Sequence, residues 1–312
     1  MNAARRFLKF FPAAFLFTAS LLLPSHGAQA ATPAASPSPS ATVPDNAAAP
    51  PLDLSPYDLK TVYSNDFSQP QIIAREEDFI KQSPDGAWKR TALPPADAVW
   101  IAEGTGGAEI RNGQLRVAPS PFDSSGHPQA VPAAQRSNMV VWNRQIFPAD
   151  FLLAFDMSPG DSPSGLTIVL FCAAGKNGED LFDLSLPTRR ADYPAYHSGA
   201  IRNYTDAYWS RNSNPPGEPL TNRLRKNPGF NEVASGPSLT STSADFPCHV
   251  RILKVGPLVA VEINGHVILQ WHDPAPLGAG RIGFRSMSGV TTVAYGNLKV
   301  SQVTPKLSLK KS

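Results

Sequence analysis

Across its 312 residues the chain holds two cysteines, Cys172 and Cys248, and six histidines. Neither cysteine has a second Cys or His at ligand spacing, which argues against a zinc site. There is no Gly-x-Ser-x-Gly elbow, His-Glu-x-x-His pair, phosphate-cradling glycine loop or dinucleotide fingerprint. Serine hydrolase, zincin, kinase and dehydrogenase chemistry are therefore set aside. No long segment carries a 3.6-residue apolar period, and no apolar run reaches the roughly 18 to 20 residues that a membrane span needs. A global charge excess is also missing. The formal +3 comes from Arg5, Arg6 and Lys9, and without them the basic residues balance the 25 acidic ones. That balance disfavours a nucleic-acid partner.

Those three cations precede an apolar run over 10–23, bracketed by Pro12 and Pro24, and Ala28-Gln29-Ala30 follows with small residues at the cleavage spacing. The pattern predicts a signal peptide over 1–30, a secreted or periplasmic address, and no transmembrane anchor after cleavage. Residues 31–56 are rich in Ala, Pro and Ser and read as a disordered linker. Residues 57–300 suffice for one domain with a sizeable core, and 301–312 read as a polar, basic tail. An exported protein permits a disulfide, but spacing alone leaves Cys172 and Cys248 as either a bridge or two buried thiols.

From residue 113 onward the sequence consists of short apolar or alternating runs cut by Gly, Pro, Asn and Asp. Strands are predicted over 114–118, 139–145, 151–157, 166–172, 181–186, 198–204, 249–255, 259–263, 281–285 and 293–300. Asn264-Gly265 marks a hairpin turn, and a short helix is expected within 72–81. The fold class that follows is all-β, a sandwich of antiparallel sheets.

YSNDFS (63–68), the Ile-Asn-Gly hairpin at 263–265, GRIGFRS (280–286) and VAYGNLKV (293–300) together resemble the concanavalin A-like lectin and glucanase superfamily. Within it, VVWNRQIFPADFLLAFDMSPGDSPSGLTIVLFC, GEDLFDLSLP, YHSGAIRNYTDAYWSRN, TNRLRKNPGF and GRIGFRSMSGV resemble the YesU-like family, whose function is unassigned. The resemblance implies a curved jelly roll with a glycan cleft on its concave sheet and an association with breakdown of plant or algal polysaccharides, pectic ones included. It implies no mechanism.

The segment 193–230 interleaves Tyr193, Tyr196, Tyr204, Tyr208 and Trp209 with His197, Arg202, Arg211, Arg223, Arg225 and Lys226. Rings stack on sugar faces and arginine forks bind carboxylate or sulfate, so the expected partner is an acidic polysaccharide or oligosaccharide. If Ile201 faces between the sheets, alternation sends Tyr196, Arg202 and Tyr204 into the cleft, with His197 and Asn203 inward unless a bulge at Gly199 re-aims His197. A Tyr, a His and an Arg are what β-elimination from a uronic acid needs, and this reading makes Tyr204, His197 and Arg202 catalytic. Tyr196, Asn203, Tyr208, Trp209, Arg211, Arg223 and Arg225 would then bind substrate, joined by Asn143, Asp183 and Arg285. The same side chains equally suit a lectin-like module that binds without turnover, or an envelope protein that packs the segment on a partner.

Glu179 and Asp183 offer a glycosidase pair, although residues four apart on a strand stand roughly 13 Å from each other, beyond the roughly 5 to 5.5 Å of a retaining pair. Asp156, Asp161, Asp180 and Asp183 could contribute to a calcium site, but no Asp-x-Asp-x-Asp-Gly loop supports one, and no cofactor is otherwise expected. Trp142 reads as core. Arg281 and Arg285 share the polar face of their strand.

Overall fold

The computed structural model describes residues 50–132, 135–159, 166–210, 220–238, 246–287 and 292–306. The expected signal peptide and most of the expected linker lie outside these residues, as do Asp161 and Arg211. Period-two alternation of apolar side chains builds the described region as two packed antiparallel sheets. The first sheet runs in spatial order β16 (His266–His272), β15 (Leu258–Ile263), β14 (Cys248–Val255), β9 (Phe151–Pro159), β18 (Val293–Pro305), β7 (Gln114–Ala118) and β6 (Gly107–Arg111), with β1 (Tyr57–Asn65) also on β18. The second runs β13 (Asn231–Pro237), β12 (Thr221–Asn227), β11 (Ile201–Ser210), β10 (Thr167–Gly175), β17 (Arg281–Ser286), β8 (Met139–Asn143), β5 (Trp100–Glu103) and β2 (Ile73–Arg75). Among the described strands only the β2–β5 pair is parallel. A small ribbon of β3 (Ile80–Gln82) and β4 (Trp88–Arg90) stands apart from both.

The turn at Asn264-Gly265 joins β15 to β16 with both residues at positive φ (50° and 83°), the conformation that an Asn-Gly hairpin supplies. The helix expected within 72–81 is a single 3-10 turn, Glu76–Phe79, held between β2 and β3. Residues 181–186 form turns instead of the expected strand. Asp180 and Asp183 each accept the backbone N–H two residues on, at 2.8 Å, and these Asx turns break the extended chain. Strand β18 extends to Pro305 and pairs with β1 there, while Leu52 and Leu54 pack on the outer face of the first sheet.

The interior between the sheets holds Trp100, Phe155, Phe171, Phe284, Tyr204, Tyr208 and Leu224 among others. Cys172 and Cys248 are both buried there as thiols, with no disulfide between them. Burial pushes the Cys172 thiol up to about 12, so it is an inert packing group.

A second apolar cluster decides where the site sits. Ile101, Val140, Trp142, Ile168, Leu170, Ile201 and Ala207 leave the second sheet on its outer face, where Leu181, Phe182, Leu186, Ala191 and Tyr196 cover them. Residues 181–200 thus act as a strap across that face, ending in α1 (Tyr193–His197). Trp142 stacks on Tyr196 of the strap at 6.2 Å between ring centroids. Gly283 makes room for it: an added Cβ would stand 2.4 Å from Trp142 Cε3. Gly283→Ala is expected to cost about 1 to 3 kcal/mol, because that ring is wedged beneath Tyr196. Urea denaturation checks it, and a change below about 0.5 kcal/mol would mean that the strap yields freely.

Candidate anion and glycan site

Cross-strand register places the polar side chains of the outer face in two rows. Glu103, Val140, Arg285, Ile168, Ala207, Arg223 and Ser235 are successive partners across seven strands. The next row runs Ile101, Trp142, Gly283, Leu170, Thr205, Arg225 and Glu232. Ile168 and Leu170 of β10 with Ala207 and Thr205 of β11 therefore lie between Arg285 on one side and Arg223 and Arg225 on the other.

The Glu103 end of the first row is closed. Glu103 is wholly buried and accepts two hydrogen bonds from the Arg189 guanidinium and one from the Tyr196 hydroxyl, both donors belonging to the strap. Burial pushes the Glu103 carboxyl up, but Arg189 outweighs it and holds the group below its ordinary value. Beside it, Glu76 accepts from Arg90 at 2.9 Å and from the Arg190 backbone N–H at 3.0 Å. Burial first, then the Glu103 charge, raises Glu76 to about 7. The hydroxyl of Tyr196 is committed to this network, and burial raises its pKa well above the ordinary value. It is an anchor of the strap and not a sugar platform.

The other end carries an aromatic ledge. Tyr193 and His197 lie one helical turn apart with ring centroids 4.5 Å from each other, and Phe230, from the turn after β12, packs on both at 5.8 and 4.5 Å. Phe230 is 38% exposed, and Tyr193 and His197 are half-buried. Guanidinium groups back the rings: Arg225 lies 4.5 Å from the Phe230 centroid, and Arg285 lies 4.9 Å from Tyr193 and 4.7 Å from Tyr196. Arg223 and Arg225 both reach Glu232 Oε2 at 3.1 Å. Arg285 has no carboxylate within ion-pair distance among the described residues. It donates to the Ala191 carbonyl at 3.1 Å, and its Nη1 has no hydrogen-bond partner although the residue is 1% exposed. A buried cation in that state is costly unless an anion completes it. Burial, then Arg285 and Arg225, holds His197 below its ordinary pKa, so the imidazole is neutral at pH 7. Burial raises that of Tyr193.

Several expected site residues lie elsewhere. Ile201 belongs to the outer cluster, so alternation along β11 sends Tyr204 and Tyr208 into the interior between the sheets, opposite to the expected facing. The Tyr204 hydroxyl donates to Asp273 and accepts the Leu277 N–H at 2.9 Å, and burial drives its pKa far up. It is a core residue, not a proton-transfer group. Trp209 sits in the same core, at positive φ where the β11–β12 register shifts. Asn203 is buried and donates to the Tyr196 carbonyl at 2.9 Å, tying α1 to the sheet. Tyr196 and His197 lie on α1, so strand alternation does not apply to them. Arg202 donates to the carbonyls of Cys172 and Ala279, away from the ledge. Asn143 is 1% exposed, opposite in facing to Trp142, and accepts the Gln145 N–H at 2.8 Å, so it cannot reach a ligand on the outer face.

The carboxylates expected to act as a pair or to hold calcium are dispersed. Glu179 is bonded to Asn177, Asp180 meets Arg281 at 2.6 Å, and Asp183 closes its own turn. Asp156 lies on the first sheet beside His249. No three of His, Cys, Asp and Glu come together among the described residues. Of the expected residues, the structure gathers His197, Arg223, Arg225 and Arg285. Tyr193 and Phe230 complete the ledge: Tyr193 is one of the rings of the expected binding segment, though not assigned a contact of its own, and Phe230, at the end of that segment, was not among the expected rings. Glu103 was also missed. The one signal for it was an acid ending the apolar run Trp100-Ile101-Ala102.

Comparison with known proteins gives the following. Residues 91–300 match the model of a domain of unknown function, DUF1961. The uncharacterized protein YesU of Bacillus subtilis (strain 168) is 37% identical over 173 residues, covering 53% of this chain and 78% of that protein. A Bacillus subtilis crystal structure of a protein of unknown function with a galectin-like fold superposes with a TM-score of 0.61 at 28% identity, over 80% of this chain and all of the other. The carbohydrate-binding module CBM66 of Bacillus subtilis superposes with a TM-score of 0.42 at 11% identity, over 65% of this chain and 96% of the module.

The inward facing of β11 has a testable electrostatic signature in Asp206. Its carboxylate is wholly buried with neither oxygen hydrogen-bonded, the Tyr208 hydroxyl being near without completing a bond, and burial raises its pKa from 3.8 to about 7. The folded protein therefore keeps this proton between about pH 4 and 7 while the unfolded chain has lost it. Stability from this group is full below about pH 4 and falls as pH rises to 7. Asp206→Asn should stabilise the protein by up to about 4 kcal/mol at pH 8 and by much less at pH 5. Denaturation curves at the two pH values measure this, and an equal effect at both would place Asp206 in solvent.

Proposed function

The chain belongs to the DUF1961 family and is similar to YesU, and we propose that it binds an acidic polysaccharide or oligosaccharide along the Tyr193–His197–Phe230 ledge. One observation carries the reading: Arg285 is a buried guanidinium with no ion-paired carboxylate among the described residues, set against the half-buried Tyr193 ring on which the exposed Phe230 packs. Rings suit the apolar faces of sugars, and the guanidinium groups of Arg285 and Arg225 suit a uronate carboxylate or a sulfate ester. The N-terminal pattern over 1–30 supports an exported protein that meets such polymers outside the cytoplasm.

A second reading has its own observation. A neutral His197 touches Tyr193 in a field of two arginines. In a β-elimination, Arg225 or Arg285 would neutralise the uronate carboxylate and His197 would take the C5 proton. Tyr193 would protonate the departing C4 oxygen as the C4–O bond breaks and the C4=C5 double bond forms. These roles replace the ones expected of Tyr204 and Arg202.

The test incubates residues 31–312 with polygalacturonate and with its carboxyl-reduced counterpart, following gel retardation, unsaturated-uronate absorbance and reducing ends. Retardation by the acidic polymer alone, weakened roughly tenfold in Arg225→Gln, is expected. Rising absorbance that stops in His197→Ala would add lyase activity. Equal retardation by both polymers, or by neither, contradicts the reading.

A further inference from the structure

We propose a second anion-binding subsite, away from the ledge, in the groove lined by Lys176, Arg202, Lys226, Asn227 and Asn231, which takes the carboxylate or sulfate group of an acidic sugar. The groove encloses about 550 Å³. Arg202 is fixed by the carbonyls of Cys172 and Ala279, at 3.1 and 3.2 Å, and pairs with no carboxylate among the described residues. Two of its five N–H groups are thus spent on holding the fork in place, which leaves three to face an incoming oxyanion.

Lys226, on the adjacent strand, donates to Asp273 and to the Ala275 carbonyl at 2.8 and 2.6 Å. Asp273 is already shared with the Tyr204 hydroxyl and the Ala275 N–H. The exposed Lys176 adds a third positive charge, so three cations face one committed carboxylate and the lining is net positive. Asn231 contributes an amide group able to bond sugar hydroxyls, while Asn227 is buried with its amide donated to Asn203 at 3.0 Å. Asn231 Nδ2 is held only weakly, at 3.4 and 3.5 Å from the Pro228 and Lys226 carbonyls.

The turn 228–231 separates this groove from the ledge, with Phe230 packed on His197 and Pro228 and Asn231 lining the groove. A chain of acidic sugars crossing that turn would meet guanidinium groups on both sides. The proposal shares with the ledge a preference for acidic glycans, but it stands on different residues.

The experiment follows the Arg202, Arg225 and Arg285 Nε–Hε resonances of residues 31–312 by NMR during titration with galacturonate, inorganic sulfate and neutral galactose. A saturable shift at Arg202 with either anion and none with galactose is expected. Lys176→Glu, at an exposed side chain with no bond to lose, should weaken that titration about tenfold, and Arg225→Gln should leave it unchanged. Preference for galacturonate over sulfate would assign the carboxylate, and the reverse would assign the sulfate ester. No anion-dependent shift at Arg202, or an unchanged curve in Lys176→Glu, overturns the subsite whatever the ledge resonances do. A response at Arg202 with none at Arg225 and Arg285 would leave the groove standing and remove the ledge.

Discussion

The arrangement of the outer face depends on one buried ion pair, Glu103 with Arg189. Strand β5 presents Glu103 from the sheet, the strap presents Arg189 and the Tyr196 hydroxyl, and together they hold residues 181–200 over an apolar surface. A carboxylate taken wholly out of water is tolerated only with its acceptor sites filled, and the three donors fill them. Without the strap the apolar side chains of the outer cluster would face solvent. With it, the apolar side chains of that face are covered, and its charged residues are confined to the Glu103 network, the Arg281–Asp180 pair, and Arg285 of β17 with Arg223, Arg225 and Glu232 of β12 and β13.

That confinement produces the chemistry. Arg285 lies two strands from Glu103, roughly 10 Å apart at the backbone by strand spacing, with Val140 between them, and the two form no ion pair. The acid that would naturally neutralise Arg285 is already committed to Arg189. Arg285 is therefore left under Tyr193 with an unfilled nitrogen, while Glu232 is engaged with Arg223 and Arg225. The site is a consequence of uneven charge pairing across two register rows, bordered by rings that the strap and the 228–231 turn supply.

Much of the fold was legible because turn chemistry and period-two runs mark strands locally: the Asn264-Gly265 hairpin, β9, β14 and β17 follow directly from such patterns. The facing of β11 was not. In Ile201-Arg-Asn-Tyr-Thr-Asp-Ala-Tyr208, apolar residues occur at both parities, because one set meets the first sheet and the other lies on the strap-side face. Alternation identifies a strand but not which side is the interior when both sides are covered. Choosing Ile201 as the inward residue sent Tyr204 to the wrong face. The aromatic and arginine content of 193–230 is what brings His197, Arg225, Tyr193 and Phe230 together, with Arg223 beside Arg225 on Glu232. The Glu103 network escaped notice for a different reason, since its members are 86 and 93 residues apart in sequence and no local pattern connects them.

Hydrogen–deuterium exchange with and without polygalacturonate tests the central claim most directly, since it reports where the polymer rests without presuming turnover. The account predicts slowed exchange over α1 and across β12 to the 228–231 turn, with the first sheet unchanged. Protection confined to the first sheet, or spread evenly over both, would contradict a glycan site on the outer face of the second.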